Sequence, residues 1–536
     1  MKSLRAVLGC CSAAFGLASG LGGAGAAWAQ TDLPVLNVSL AEAIEVAVAR
    51  NYALNRARLD VQTADQQVRE AYAELYPSID GNANYQRQFD AINPFAGSQV
   101  GGGAFLAGDG AGDFLLINEE RTANGQPPLS YSEFLQQRQA ATEDAGLAFD
   151  PDENPFFIDN RIRAELTVTQ LIYDGAAFSG LKAASRLKAA EKARFEEQAR
   201  QTVSEVARQY YLALLTQART EILRRSEARA REEVEELRAR VERGTRPRYD
   251  LLSTEVRLAN VEAQRIRNEN EAADALDRLK FLLGLPQEQP IALSDPLTPP
   301  ADPFVPPATP EAAMADATDT RPDLRAASLQ VELNEIEREA AFAGYLPVVE
   351  AFFTAAVVGQ VPDDKSITFQ PEPLSSETET IERGFFESDF WGPDILGGIR
   401  LRWNFFNGFQ TTARVAQNRL AVRRAQLTLQ ELQNQVRLEV ARSLRTLQST
   451  WQQLQSQDRN VENAELNYRH ATLRVEEGVA GTVELRDANE QLDDSRLNYL
   501  QSIHDFRLAE VEYKVAVGRP PHVKLDELES KVPEEP

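Results

Sequence analysis

The feature that most constrains this chain is that it contains one unit written twice. Leu54, Ala57, Leu59, Val61, Ala71, Ala73 and Pro77 recur as Leu324, Ala327, Leu329, Val331, Ala341, Ala343 and Pro347, all at an offset of 270. Tyr173-Asp174-Gly175 returns as Phe406-Asn407-Gly408 at offset 233. Gly244, Asp250, Leu251, Leu258, Gly284 and Pro286 return as Gly478, Glu484, Leu485, Leu492, Gly518 and Pro520 at offset 234. Self-similarity of this kind means a repeated supersecondary unit, and the fall in offset places 37 extra residues in the first half, between Pro77 and Tyr173. Nine of the 25 residues from Pro286 to Pro310 are proline, which predicts an extended surface linker between the halves.

Within each half the hydrophobic period changes from 3.6 to 2 and back. Residues 40–74 read as a helix opened by Ser39, with Leu40, Ala43, Ile44, Ala47 and Val48 on one face; its counterpart is 311–344. Alternation then predicts strands over about 79–89, 162–172, 348–358 and 395–406, roughly ten residues each, the length a tilted strand needs to cross a bilayer. Tyr85, Trp403 and Phe405 lie on their apolar faces as candidate membrane-interface aromatics. Proline-free heptad-like segments predict long helices over 176–243 and 409–477, each about 100 Å at 1.5 Å per residue. Glycine turns follow, then return helices over 250–284 and 484–517. The first repeat therefore spans 30–285 and the second 311–520, with an acidic tail over 521–536.

Residues 1–29 form a secretory signal: Lys2 and Arg5 precede a small and apolar run that ends in Ala27-Trp28-Ala29. Cys10 and Cys11 leave with it, so the mature chain has no thiol chemistry. A net charge of −24 disfavours nucleic acid as a partner, since phosphate contacts need clustered Lys and Arg. His470, His504 and His522 show neither metal nor triad spacing, and no phosphate-binding glycine loop is present, so no cofactor, metal or enzymatic activity is expected. Gly108 to Asp113 and Asp150 to Glu153 lack the ligand spacing of a cation loop, and both lie in a segment over about 90–160 that is read as mobile polar loop. Four strands cannot close a barrel, yet every strand edge in lipid must be hydrogen-bonded. Several copies must therefore share one barrel.

With those features in place the sequence resembles the TolC-type outer-membrane efflux and secretion duct family. The likeness rests on the paired openings (Ser39-Leu40, Ala43-Ile44, Ala47, Asn51; Arg321-Pro322-Asp323-Leu324), the Leu346-Pro347 helix-to-strand switch, the two Tyr/Phe-Asp/Asn-Gly strand exits, the glycine tips and the two Gly-x-Pro endings, and covers nearly all of 36–520. It implies a mostly α chain with membrane β structure: a homotrimer whose 12-stranded outer-membrane barrel continues into a long periplasmic α-helical barrel. It also implies outer-membrane lipid around the strands, a periplasmic adaptor and a proton- or ATP-driven inner-membrane pump. Efflux is the expected role, type I protein secretion the alternative, and a periplasmic coiled-coil scaffold or adhesin the reading from another class.

The resemblance also implies site residues. Glu484 and Asp487, three residues apart on one helical face, match acidic positions that narrow the periplasmic mouth, and Asp250 is the matching acceptor in the first half. Helix-dipole complementation is the plainer explanation for acids at a helix start. The family's Tyr and Arg that tie the mouth shut correspond to Val475 and Ala480, both apolar. Arg243, Arg246 and Arg248 are therefore candidates for a charge-swapped latch onto Glu484 or Glu477. Gly244-Thr245 and Gly478-Val479 match the tips that meet the adaptor, although a turn between antiparallel helices calls for glycine anyway.

Overall fold

The computed structural model of the chain describes residues 34–90, 110–147, 158–300, 310–479 and 481–520. The signal segment, Ala480, the Asp150 to Glu153 segment and the acidic tail lie outside the described residues. The first repeat contributes β1 (Leu36–Val38), α1 (Leu40–Arg50), α2 (Tyr52–Ala73), β2 (Ser78–Arg87), α3 (Ala111–Ala123), α4 (Tyr131–Asp144), β3 (Asn160–Tyr173), α5 (Gly175–Glu242) and α6 (Arg248–Leu283). After β4 (Ile291–Leu293) the second contributes α7 (Pro310–Thr320), α8 (Pro322–Phe342), β5 (Val348–Val361), β6 (Ser366–Phe369), β7 (Glu379–Glu382), β8 (Trp391–Arg402), α9 (Gln410–Glu476) and α10 (Thr482–Ala516). The long helices α5 and α9 have 68 and 67 residues, about 100 Å each.

The opening helix of each half, expected as one rod, is two. In the first half Asn51 leaves the helical region, and its side-chain oxygen accepts the amides of Ala53 and Leu54 at 2.9 and 3.1 Å, capping α2. Its Nδ2 donates to the Leu282 carbonyl at 2.8 Å. In the second half Pro322 disfavours a helical residue before it, so Arg321 is extended (φ −77°, ψ 121°). Arg321 Nη1 donates to the Ala516 carbonyl at 2.9 Å. Leu282 and Ala516 are equivalent at offset 234. Each half thus docks its break onto the end of its own return helix, with a different side chain. Gly284 closes that joint in the first half: its φ is +67°, and a Cβ there would lie 2.5 Å from the Arg50 carbonyl oxygen.

The principal core sits at the waist of the helical layer. Leu40, Ile44, Val203, Tyr210, Leu279 and Leu283 are among its buried residues. The proline-rich linker, expected as a surface segment, is in part built into this waist: β4 pairs in parallel with β1. Asp295 accepts the Leu40 amide at 2.7 Å and the Tyr210 hydroxyl at 3.0 Å, and burial pushes that phenol well above its ordinary value.

At the far end of the helices, β2, β3, β5 and β8 form one antiparallel sheet in chain order. The register aligns Ile79 with Val168, Val168 with Phe353 and Phe353 with Gly397. Residues of one parity therefore make one continuous apolar face, which includes Tyr85, Leu166, Val357, Ile395 and Ile399. Ile79 and Ile399 are 69% and 71% exposed there. The other face carries Arg163 paired with Glu165 and Asp394, and Arg402 paired with Glu350. Beyond the sheet, part of the segment expected as mobile loop is helical. Ser130 and Glu133 form a capping box for α4, Phe134 is fully buried against Phe114, and Gln370 Nε2 ties the hairpin to the second repeat through the Ala141 carbonyl at 2.9 Å.

Candidate functional site

The two ends of the helical hairpins and the face of the sheet carry the features that the sequence singled out. At the first tip α5 ends in a Schellman turn: Gly244 (φ +73°) donates to Val241 at 2.9 Å and Thr245 to Arg240 at 2.9 Å. The second tip repeats it, with Gly478 (φ +71°) donating to Val475 and Val479 to Arg474. The same turn exposes Thr245 in one hairpin and Val479, 69% exposed, in the other. These are the turns of the expected docking tips.

Glu484 and Asp487 lie in the first turns of α10, both exposed and both lining one cleft with Asn467, Val483 and Gln491. Glu484 pairs with Arg474 across the turn at 2.9 Å, and Asp487 with Arg486 at 3.1 Å. Continuing up α10 at alternating steps of three and four, Gln491, Asp494 and Asn498 are also exposed. A stripe of acids and amides thus runs along one helical face. Asp494 sits above the ordinary carboxyl range because of partial burial and the nearby charges of Glu490 and Asp493.

Two of the three arginines of the first tip are engaged within their own hairpin. Arg243 Nε donates to the Ala239 carbonyl at 3.0 Å, and Arg246 lies 3.8 Å from Asp250. Arg248 forms no ion pair among the described residues. The structure therefore joins Arg246 to Asp250 but brings none of the three to Glu484, whose partner is Arg474. That residue escaped the sequence reading. Its signal was available, because partners across an antiparallel hairpin lie at equal distances from the turn.

Tyr85 is in β2, on the apolar face, and its hydroxyl donates to Asn160 at 2.8 Å. Trp403 and Phe405 are not in a strand, since β8 ends at Arg402 instead of continuing to 406. Trp403 Nε1 donates to the Tyr345 carbonyl at 3.0 Å, and left-handed Gly408 and Phe409 turn the chain into α9. Their rings, 4.7 Å apart, still stand at the helix-facing end of the sheet, whereas Tyr85 and Trp391 mark the opposite end. From Trp391 to Trp403 is about 40 Å along an extended strand, or about 30 Å at a tilt of 40°. Two aromatic levels so spaced match the two interfaces of a bilayer. Among the described residues no group of side chains suited to a metal occurs, and no helix is long and apolar enough to cross a membrane.

The sequence profile of a family described as outer membrane efflux protein matches residues 158–285 and 392–519. The two stretches are 234 positions apart, the offset of the duplication itself. No curated protein matches the chain. Solved structures share its fold. The CmeC outer membrane channel of Campylobacter jejuni is 13% identical, with 92% of this chain and 88% of that one covered at a TM-score of 0.67. The outer membrane protein VceC of Vibrio cholerae is 15% identical, covering 90% and 96% at 0.64. The open state of the MtrE outer membrane channel of Neisseria gonorrhoeae is 17% identical, covering 89% and 88% at 0.60.

Proposed function

The chain belongs to the outer membrane efflux protein family, and from that membership we propose that it is the passive exit duct of a tripartite efflux system. As a member it is a transport channel of the outer membrane with a large periplasmic helical extension, and not an enzyme. The observation that carries the finer reading is the open four-stranded sheet. Its edges β2 and β8 have no partner strand among the described residues, and one face is apolar over most of its length, with Ile79, Leu166, Phe353 and Ile399 exposed on it. In lipid such edges must be satisfied by another copy. Three protomers supply twelve strands, enough to close a barrel continuous with a tube of helices. Exposed apolar residues on helices at the two borders of the layer support lateral assembly: Leu420, Leu427 and Leu438 on α9, and Leu59 on α2 with Ile266 on α6.

In this reading the polar stripe of α10 faces the lumen and Glu484 with Asp487 narrows the periplasmic mouth. Six carboxylates around one axis favour cations and repel one another. The Arg474–Glu484 pair restrains the mouth within each protomer. The exposed tips, Gly244-Thr245 and Gly478-Val479, receive a periplasmic adaptor, and an inner-membrane pump supplies the energy. The test is in-cell crosslinking from Val479→Cys, a unique thiol in the mature chain, with the captured protein identified by mass spectrometry. Capture of an adaptor that serves a proton-driven pump is expected. An adaptor of an ATP-driven exporter would assign the duct to protein secretion. No captured adaptor and no heat-modifiable trimer in outer-membrane fractions would leave the periplasmic scaffold.

A further inference from the structure

Just beneath the sheet the two repeats carry their positive charge differently. From Gln410 to Gln430, α9 contains Arg414, Arg419, Arg423 and Arg424 and no Asp or Glu. None of the four forms an ion pair among the described residues. The matching segment of α5 is neutralised: Lys182 pairs with Glu339 at 3.0 Å, Arg186 with Glu332 at 3.1 Å, and Lys188 with Asp65. On α8, Arg338 likewise has no carboxylate partner among the described residues. Arg338 and Arg419 line one cleft between α8 and α9, with Glu339, Phe342 and Val415. The duplication supplies an internal control. At offset 270 the counterpart of Arg338 is Val68, and at offset 233 that of Arg419 is Arg186, already held by Glu332.

The height of this cleft is set by neighbouring contacts. Asn418 Nδ2 donates to the Glu337 carbonyl at 3.0 Å, which keeps the two arginines level. Thr411 packs against Gly344 at the root of the sheet, and Val415 lies one turn, about 6 Å, below it. Tyr345, Trp403, Phe405, Phe406 and Phe409 therefore stand between the cleft and the apolar face, all exposed. Aromatic belts sit at headgroup level, so the cleft opens where lipid phosphates lie. We infer that it binds the phosphodiester of an anionic phospholipid in the periplasmic leaflet. The two guanidiniums take phosphate oxygens, a geometry that planar arginine forks suit, and Phe342 and Val415 flank the start of the acyl chains. The inference rests on the membrane reading proposed above. A second copy of the chain is the competing occupant, but Leu420 and Leu427, proposed to meet that copy, project about 80–100° around α9 from Arg419.

The test uses the purified full-length mature protein in detergent, titrated with phosphatidylglycerol, phosphatidylcholine or inorganic phosphate. Bound lipid is counted by native mass spectrometry and stabilisation followed by thermal unfolding. Phosphatidylglycerol is expected to bind about tenfold more tightly than phosphatidylcholine. That preference should vanish in Arg338→Gln/Arg419→Gln, partly return in Arg338→Lys/Arg419→Lys, and survive in Arg186→Gln. An unaltered preference in the double glutamine variant overturns the site. Displacement of the lipid by inorganic phosphate alone reassigns it to a free anion and overturns the lipid reading. Weakened oligomers with unchanged lipid binding assign the arginines to a second copy and overturn it too. Absence of lipid preference in a protein that still forms trimeric conducting channels would sink this site and leave the duct standing, whereas unmodified protein that neither trimerises nor conducts would sink the duct.

Discussion

The two hairpins that run from the waist to the tips share length and turn, and differ in what crosses between their helices. In α5–α6, Arg224–Glu269, Arg231–Glu262, Arg238–Glu255 and Arg257–Glu233 span the pair at 3.0 to 3.3 Å, and Arg265 reaches Glu227 as well. Asn268 is buried between them, its Nδ2 donating to the Thr216 carbonyl at 2.8 Å and the Thr220 hydroxyl at 2.7 Å. In α9–α10 the described residues supply Arg496–Glu465, Asn467–Gln491 and Arg474–Glu484. Each exposed ion pair contributes only about 0.2–1 kcal/mol, so the contrast lies in the network. Hydrogen bonds from Arg224 and Arg265 hold the Glu269 carboxyl below its ordinary value, while Asp494 in the other hairpin is pushed above it. Duplication preserved the backbone, and side-chain divergence gave one copy a denser set of pairs between its helices and the other, around Asp494, a group of neighbouring acids.

The largest expected effect concerns the two helix breaks. Arg321 has a side chain only 3% exposed and pairs with Asp323 and Glu439. Removing one partner of a buried pair costs about 3–5 kcal/mol, whereas losing an N-cap costs about 1–2 kcal/mol. Urea unfolding of Arg321→Ala and Asn51→Ala should differ accordingly, and equal losses would mean that the two joints are energetically the same. Next comes Asp323→Asn, expected to cost about 2–3 kcal/mol at neutral pH. Burial raises the Asp323 carboxyl, but hydrogen bonds and charge from Arg321, with the charge of Arg200, outweigh it and leave the group below its ordinary value. Its stabilisation is therefore complete above the unfolded value of about 3.9 and lost as pH falls through the lower folded value. The variant and the parent should converge in strongly acidic buffer; a gap that persists there would show that charge is not the source.

Two smaller effects sharpen the contrast between the hairpins. Glu484→Gln/Asp487→Asn should raise the concentration of a trivalent cation needed to halve channel current by about tenfold, since the charges that attract it are gone; unchanged block would remove these residues from the mouth. Arg474→Ala should shift the balance of open and closed mouths about two- to fivefold, the worth of one exposed pair, in single-channel recordings. Arg246→Ala with Arg248→Ala should shift it less than Arg474→Ala does, and the reverse ranking would place the latch at the first tip.

The long helices, the tips and the four strands were legible because each is a periodic or punctuated run of adjacent residues. The break at Asn51 was not, because the residues around it keep the helical period and only the Leu282 carbonyl, far along the chain, gives its amide nitrogen a partner. The break at Arg321 had a local signal in Pro322, outweighed by periodicity on both sides. Residues 111–144 fall within the loop expected over about 90–160, yet Phe114, Tyr131 and Phe134 gather into a small core once the two helices fold together. Glu484 and Asp487 were implied by the family resemblance, while Arg474, which holds Glu484, was passed over.

What the sequence by itself determined is the duplication, the change of period from helix to strand, the lengths of the rods and the glycine turns, because these follow from backbone preferences of neighbouring residues. What only the tertiary structure decided is which charges meet. Arg321 with Glu439, Arg474 with Glu484, and the cleft shared by Arg338 and Arg419 are set by side chains from separate segments arriving at one height. An ion pair depends on distance in space, and the pattern along a single strand or helix does not carry that distance.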